Sequence, residues 1–325
     1  MNSVYTAFII SEVSKGRKNS AEIARELNKK YGSKISRHAV YRYIKKIKPD
    51  ICSKESTKAE EPKKKQIVLQ NQEPKVFPSL WGGTKKIKFG LISDTHIGSK
   101  YWQPTALFNF YAVCAAEGVE QILHAGDITE GLKMRPGHEY EVYISSADEL
   151  VDHVLKVYPR CSNGAPTRFI TGNHDASIYK HIGYDIGRAI AEKRDDMEYL
   201  GRDCAIVELT PNCRIELRHP WDGYAYAISY KPQKAIEAME ADSKPNILAI
   251  AHYHKAEYLF HRNVHCFQTA CYQGQTPFTR GKNLFIHMGG WIIEADIASD
   301  GTVVNIQPRF IPVYKSISND YKNLQ

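Results

Sequence analysis

The chain is 325 residues long, 42% hydrophobic and 25% charged, a balance that suits a globular protein with a sizeable buried core. No apolar stretch reaches the length of a membrane span, and no basic segment precedes the apolar run at 4–10, so neither a membrane protein nor a secreted one is expected. The formal charge of +8 belongs wholly to residues 1–50, which hold 12 Lys/Arg against 4 Asp/Glu, while the rest holds 32 of each sign; such segregation points to a polyanionic partner for a small N-terminal module.

In that module, Val4, Tyr5, Phe8, Ile9 and Val13 recur close to a 3.6 period and predict a helix over 4–14. Asn19-Ser20 supplies an N-cap for a second helix over 21–31, with Ile23, Ala24 and Leu27 on one stripe and Gly32 as its stop. Ser36 caps a third helix running to about residue 48, with Val40, Ile44 and Ile47 facing inward. Only residues 32–35 separate the last two helices, and the unit resembles a helix-turn-helix of the winged or homeodomain-like kind, whose third helix enters the DNA major groove. On that reading Arg37, Tyr41, Arg42, Lys45 and Lys46, with His38, form the outward face and are the candidate DNA contacts. A three-helix unit that binds protein instead is the alternative.

Residues 51–85 read as a linker. The stretch 52–65 is rich in Lys, Glu, Ser, Thr and Pro without an apolar period, the composition of a disordered segment. Residues 67–69 read as a short strand or a wing fragment, and Pro74, Pro78 and Gly82-Gly83 lead into a second domain over 86–325. There, runs at 87–93, 121–124, 168–171, 214–218 and 246–251 read as buried strands, and 103–117, 144–158, 184–194 and 231–241 as helices. Four further strands follow at 258–261, 264–269, 290–297 and 302–308. Alternation followed by strands predicts two packed mixed sheets flanked by helices. The seven cysteines (52, 114, 161, 204, 213, 266 and 271) are odd in number and form no C-x-x-C pair, which favours a reducing cytoplasm.

Each of the first five strands runs into a polar motif: Asp94-Thr95-His96, Gly126-Asp127, Gly172-Asn173-His174-Asp175, His219, and His252-Tyr253-His254. Strand ends of this kind converge on the crevice where an α/β fold gathers its chemistry. The donors are Asp, His and Asn with no Cys, a set that suits Mn, Fe or Zn in a working site rather than a thiolate-bound structural ion.

The order D-x-H, G-D, G-N-H-D, H, x-H-x-H resembles the calcineurin-like metallophosphoesterase superfamily over roughly residues 86–310, with Ala251 where the family usually has glycine. The resemblance implies a four-layer α/β/β/α sandwich behind the small all-α helix-turn-helix domain. It gives a first metal Asp94, His96, Asp127 and His254, and a second Asp127, Asn173, His219 and His252, with Asp127 bridging. A shared carboxylate lets two cations sit roughly 3.5–4 Å apart, and a hydroxide between them is a strong nucleophile near neutral pH. Two divalent ions, Mn foremost, are therefore the expected cofactors. His174 is expected to face the substrate as general acid or charge stabiliser, and Asp175 to orient it and raise its pKa. His124 and Glu130 are candidates to orient the ligands, His138 to touch substrate, and Trp221 to pack or to stack on a base.

Three function classes are open at this point. The first is a metal-dependent phosphodiesterase, a nuclease brought to DNA by residues 1–50. The second is a phosphoesterase on a small molecule or phosphoprotein, with the N-terminal module as a docking or regulatory unit. The third is a DNA-binding regulator with a dead esterase domain, which the full ligand set opposes. A homodimer is left open.

Overall fold

The computed structural model describes residues 3–15, 19–51 and 83–324, and the side chains of 46–51 are outside that description. Residues 52–82 of the expected linker, its expected strand at 67–69 and the side chain of Lys46 therefore lie outside the described residues, while at its ends Ile51 still belongs to a helix and Thr84 and Lys85 already belong to a strand. The chain divides into two compact units, Met1–Gln72 and Glu73–Gln325.

The first unit has three helices, α1 (Ser3–Ser14), α2 (Ser20–Tyr31) and α3 (Arg37–Ile51). Ile9, Ile23, Leu27 and Val40 are fully buried at its centre, so the apolar stripes of all three helices meet there. The Asn19 side chain accepts from the Ala21 amide at 3.0 Å, as an N-cap does. Gly32 ends α2 in the left-handed conformation (φ 63°). Asn28 then fixes the turn: it donates to the Ile35 carbonyl at 2.9 Å and accepts from the Ile35 amide at 2.9 Å.

The second unit begins β1 (Thr84–Ile92), α4 (Pro104–Ala116), β2 (Gln121–Ala125), α5 (Ala147–Val157), β3 (Thr167–Thr171), α6 (Asn173–Ile182), α7 (Ile186–Ala191) and β4 (Met197–Arg202). It continues β5 (Cys204–Thr210), β6 (Cys213–Arg218), α8 (Tyr230–Glu237), β7 (Ile247–Ile250), β8 (Glu257–His261), β9 (Val264–Gln268), α9 (Pro277–Gly281), β10 (Gly289–Ala298) and β11 (Val303–Pro312). One sheet has the order β11-β10-β1-β2-β3-β4, the other β5-β6-β7-β9-β8. β1 to β4 are parallel neighbours, as are β6, β7 and β9, so their carboxyl ends open on one side of each sheet.

The apolar pattern of the strands sets the layers. In β7, Ile247 and Ala249 face the first sheet, while Leu248 and Ile250 pack with Ile236 of α8. In β2 and β3, Leu123 and Ile170 enter the core between the sheets, and Ile122 and Phe169 enter the core under α4, α5 and α7. Three stacked apolar cores produce the α/β/β/α sandwich, and burial on both faces is why the parallel strands read as continuous apolar runs.

Four elements were not legible in the sequence, among them α9, a five-residue helix capped by Thr276. α6 starts inside the Gly172-Asn173 motif, which reads as a turn because its cap is Gly172. β4 and β5 are partly exposed and carry polar residues at irregular spacing. Among the described residues six cysteines are free, and no helix is long and apolar enough to cross a membrane.

Candidate metal centre

The five motifs lie directly beyond the carboxyl ends of β1, β2, β3, β6 and β7. Asp94, His96, Asp127, His252 and His254 all adopt left-handed backbone, with φ of 51°, 51°, 54°, 78° and 53°. Such conformations cost a non-glycine residue of order 1–3 kcal/mol each and persist only where surrounding contacts impose them. Here the Asp94 amide donates to the Gly126 carbonyl at 2.9 Å, and the His96 amide to the Asp127 carbonyl at 3.1 Å, which ties the first two loops together. Gly126 (φ 98°) is obligatory, since a Cβ there would fall 2.5 Å from His219 Nδ1. Ala251 is not among the left-handed residues; fully buried, it donates its amide to the Arg218 carbonyl at 2.9 Å, so alanine serves where the resemblance implies glycine.

Two donor groups result. Asp94, His96 and His254 offer one group of converging ligand atoms, and Asp127, His219 and His252 a second. In the first, His254 Nε2 lies 3.2 Å from Asp94 Oδ1 and 3.1 Å from His96 Nε2. Asp94 Oδ1 is fully buried and, beyond this approach of His254, has no hydrogen-bond partner among the described residues. In the second, His219 Nε2 lies 3.1 Å from both Asp127 Oδ2 and Asn173 Oδ1.

Carbonyls decide which nitrogen of each ring is free. His219 Nδ1–H donates to the Ala125 carbonyl at 2.8 Å, and His252 Nε2–H to the Asp222 carbonyl at 3.0 Å. A lone pair is thereby left on His219 Nε2 and on His252 Nδ1, the arrangement that fixes metal-binding histidines. Lone pairs from His219, Asp127 and Asn173 facing one another at 3.1 Å repel unless a cation stands among them. The same demand for positive charge shows in the His219 imidazole: burial pulls it down, but the Asp127 carboxylate outweighs it and holds the ring at about 9. Burial pushes Asp127 upward, yet His219 and His174 bring it well below the usual carboxylate range. The donor set therefore fits divalent metal ions.

His174 lines the same cavity of about 460 Å³ as His96, Asp127, Asn173, His252 and His254. Its Nδ1–H donates to the Glu130 carbonyl at 2.7 Å. The expected contact with Asp175 is not made. Asp175 is the third residue of α6, and its carboxylate turns back toward the helix start, accepting from the Gly172 amide (3.1 Å), the Ile128 amide (3.1 Å), and the Thr129 amide (2.8 Å) and hydroxyl (2.7 Å). Burial lowers His174 to about 4, outweighing the Asp127 and Glu130 carboxylates that raise it, and burial raises Asp175 to about 6. Asp175 thus locks the Asp127 loop to α6.

Glu130 has the position the sequence did not reveal in full. Its buried carboxylate lies 2.9 Å from His96 Nδ1, 2.9 Å from His138 Nε2, and accepts from Gln273 Nε2 at 2.6 Å. Glu130, His96 and His174 form a third convergent group of ligand atoms. His138 is itself buried against Glu130 and supports it rather than lying open to substrate. Gln273, beyond the carboxyl end of β9, had no signal in its local sequence because its partners are 174 and 143 residues away. His124 is buried and pushed down to about 3 by that burial; its Nε2 meets the Thr95 hydroxyl at 3.2 Å, beneath the first loop.

In the N-terminal unit, Arg37, His38, Tyr41, Arg42 and Lys45 are all exposed on α3, opposite the buried Val40.

Residues 87–282 match the family described as a calcineurin-like phosphoesterase superfamily domain. A DNA polymerase II small subunit from Halobacterium salinarum is 26% identical over 241 residues, covering 62% of this chain and 46% of the relative. The DNA polymerase II small subunit of Methanothermobacter thermautotrophicus is 22% identical over 238 residues, covering 59% and 49%. The chain thus spans about half the length of the curated relatives it matches. Among solved structures, an archaeal phosphodiesterase is 14% identical, covering 70% of this chain and 100% of that one, with a TM-score of 0.40.

Proposed function

Since this chain belongs to the calcineurin-like phosphoesterase superfamily, we propose that it is a dinuclear-metal phosphodiesterase acting on DNA, with residues 1–50 as a DNA-binding module and a catalytic domain that starts with β1 at Thr84. The observation that carries the reading is the pair of donor groups around Asp94 and Asp127, side by side in one cavity with His174 at its wall.

Asp94, His96, Asp127 and His254 would hold one cation, and Asp127, Asn173, His219 and His252 the other. When bound, such ions (Mn foremost, then Fe or Zn) lower the pKa of a water molecule and draw charge from phosphate oxygens. Asp127 would bridge the two: its Oδ2 faces His219 in the second group, and its Oδ1 accepts the His174 amide at 2.8 Å, which fixes the carboxylate in place. The left-handed loops hold these donors before substrate arrives, so no reorganisation is required at the moment of reaction. His174 keeps Nδ1–H on the Glu130 carbonyl and turns Nε2 to the substrate. A proton carried there beside an anionic phosphate passes to the leaving oxygen. Asp175 contributes by fixing the turn from which Asn173 and His174 project.

The choice of DNA is supported by the positive charge of residues 1–50, by the exposed basic face of α3, and by the name the curated relatives carry. Free cysteines among the described residues suit a reducing cytoplasm. A substrate panel tests the reading. Purified protein with Mn is offered a nitrophenyl diester, a nitrophenyl monoester, single-stranded DNA, duplex DNA and a phosphopeptide. Preference for the diester and DNA is expected; preference for the monoester or phosphopeptide replaces this reading with that of a phosphatase whose N-terminal unit docks or regulates.

A further inference from the structure

We propose that the metal cavity is the middle of a track for an unpaired DNA strand, with bases stacking on Trp221 on one side and on Phe278 and Phe285 on the other. The inference rests on the phosphodiesterase reading and specifies the form of DNA it takes.

The cavity of about 460 Å³ that holds the donor groups extends to Arg135, Phe278 and Phe285. A second depression of about 270 Å³ is lined by Lys180 and Trp221 and shares Met134 and Asn173 with the first. The two therefore meet at Asn173, one of the proposed ligands, and form one trough past the centre.

The rings along it are both exposed and held. Trp221, Phe278 and Phe285 are 47%, 40% and 64% exposed. The Trp221 indole N–H donates to Asp203 at 2.8 Å, and the Lys180 ammonium lies 3.7 Å from the ring centre. Arg135 lies 4.4 Å over Phe278 and is itself fixed by Glu141 at 2.6 Å. The buried Lys255 lies 4.9 Å from the Phe285 ring and donates to the Phe285 carbonyl.

Scattered exposed aromatics are ordinary on any surface. Four cation–aromatic approaches border this one opening, Lys255 lying as near the Tyr224 ring as the Phe285 ring. A cation on one face fixes a ring and leaves its other face for a base. The exposed Lys180 makes no ion pair among the described residues and is available to a phosphate.

Rings interleaved with positive charge are how proteins hold single strands, because each base offers a π face and each link a phosphate. In a duplex those faces are already stacked and the phosphates alone remain. The cavity falls within the range of roughly 300–1,000 Å³ that takes a single ligand, room for one nucleotide beside the donor groups.

The test compares kcat/KM on a single-stranded oligonucleotide with that on a nitrophenyl diester, for the full chain loaded with Mn. Turnover of the small diester reports that each variant is folded and metallated, so the ratio isolates strand binding. Trp221→Ala and Phe285→Ala should each lower the oligonucleotide-to-diester ratio at least about fivefold, chiefly through KM. Trp221→Phe should restore most of it, and the wild type should cut single strands faster than blunt duplex. An unchanged ratio in the alanine variants, a Trp221→Phe as damaged as Trp221→Ala, or equal rates on duplex would overturn the track while leaving the phosphodiesterase reading in place. A wild type that cleaves no diester overturns both.

Discussion

His96 and His254 aim their Nε2 atoms at one another across 3.1 Å, and Asp94 Oδ1 lies 3.2 Å from the second of them. One proton satisfies only one pair among these three atoms, whereas a divalent cation accepts a lone pair from each. The two histidines reach this arrangement from left-handed backbone at the ends of β1 and β7, strands of different sheets. The sandwich therefore places the donors, and the loops only turn them.

Glu130 governs one side of that arrangement. Replacing it with Gln removes the charge beside His96 and His138 while keeping the volume. Residues that orient metal-binding histidines typically cost 10–100-fold when changed, and a loss of that order in metal affinity is expected for Glu130→Gln. Metal titration of the variant against the wild type checks it; equal affinity would show that Glu130 only fills space.

His174 separates metal binding from turnover. Because its ring is held by the Glu130 carbonyl and not by the donor groups, His174→Ala should retain its metal but lose about 100- to 10,000-fold in kcat. The loss should shrink for a nitrophenolate leaving group, which needs no proton. Equal losses on good and poor leaving groups would remove the general-acid role.

Asp175 acts on stability instead. Its carboxylate serves four buried donors between the Asp127 loop and α6. A buried donor left unsatisfied costs about 1–3 kcal/mol, so Asp175→Ala should lower the urea midpoint by the equivalent of about 2 kcal/mol or more, with an unchanged slope. A midpoint equal to that of the wild type would contradict this.

The sandwich and the proposed ligands were legible because both are local in sequence: continuous apolar runs mark the central strands, and each run ends in the residues it delivers. What was hidden is what lies between distant segments. Gln273 meets Glu130 only once β9 is beside β7, and Asp175 follows His174 in sequence yet turns away because it begins a helix. The left-handed loops were equally unreadable, since Asp and His carry no mark of a backbone angle that only the packed fold imposes. α6 was missed because its first residues are chosen for the site and not for helix propensity.

The N-terminal unit makes a separate prediction through salt. If Arg37 and Arg42, both exposed on α3, contact phosphates, replacing both with Ala should lower the slope of log affinity for DNA against log salt by about two units. Filter-binding or fluorescence titrations at several salt concentrations measure it. An unaltered slope would make the unit a protein-contact module.

Asp127 belongs to the donor group of His219 and His252 and is the proposed bridge to the other, so Asp127→Asn should abolish hydrolysis and lower bound metal in elemental analysis. The most direct measurement is the rate of nitrophenyl diester hydrolysis by the wild-type chain in excess chelator. The account predicts loss of activity there and its return on adding Mn; turnover that continues undiminished in the chelator would contradict it.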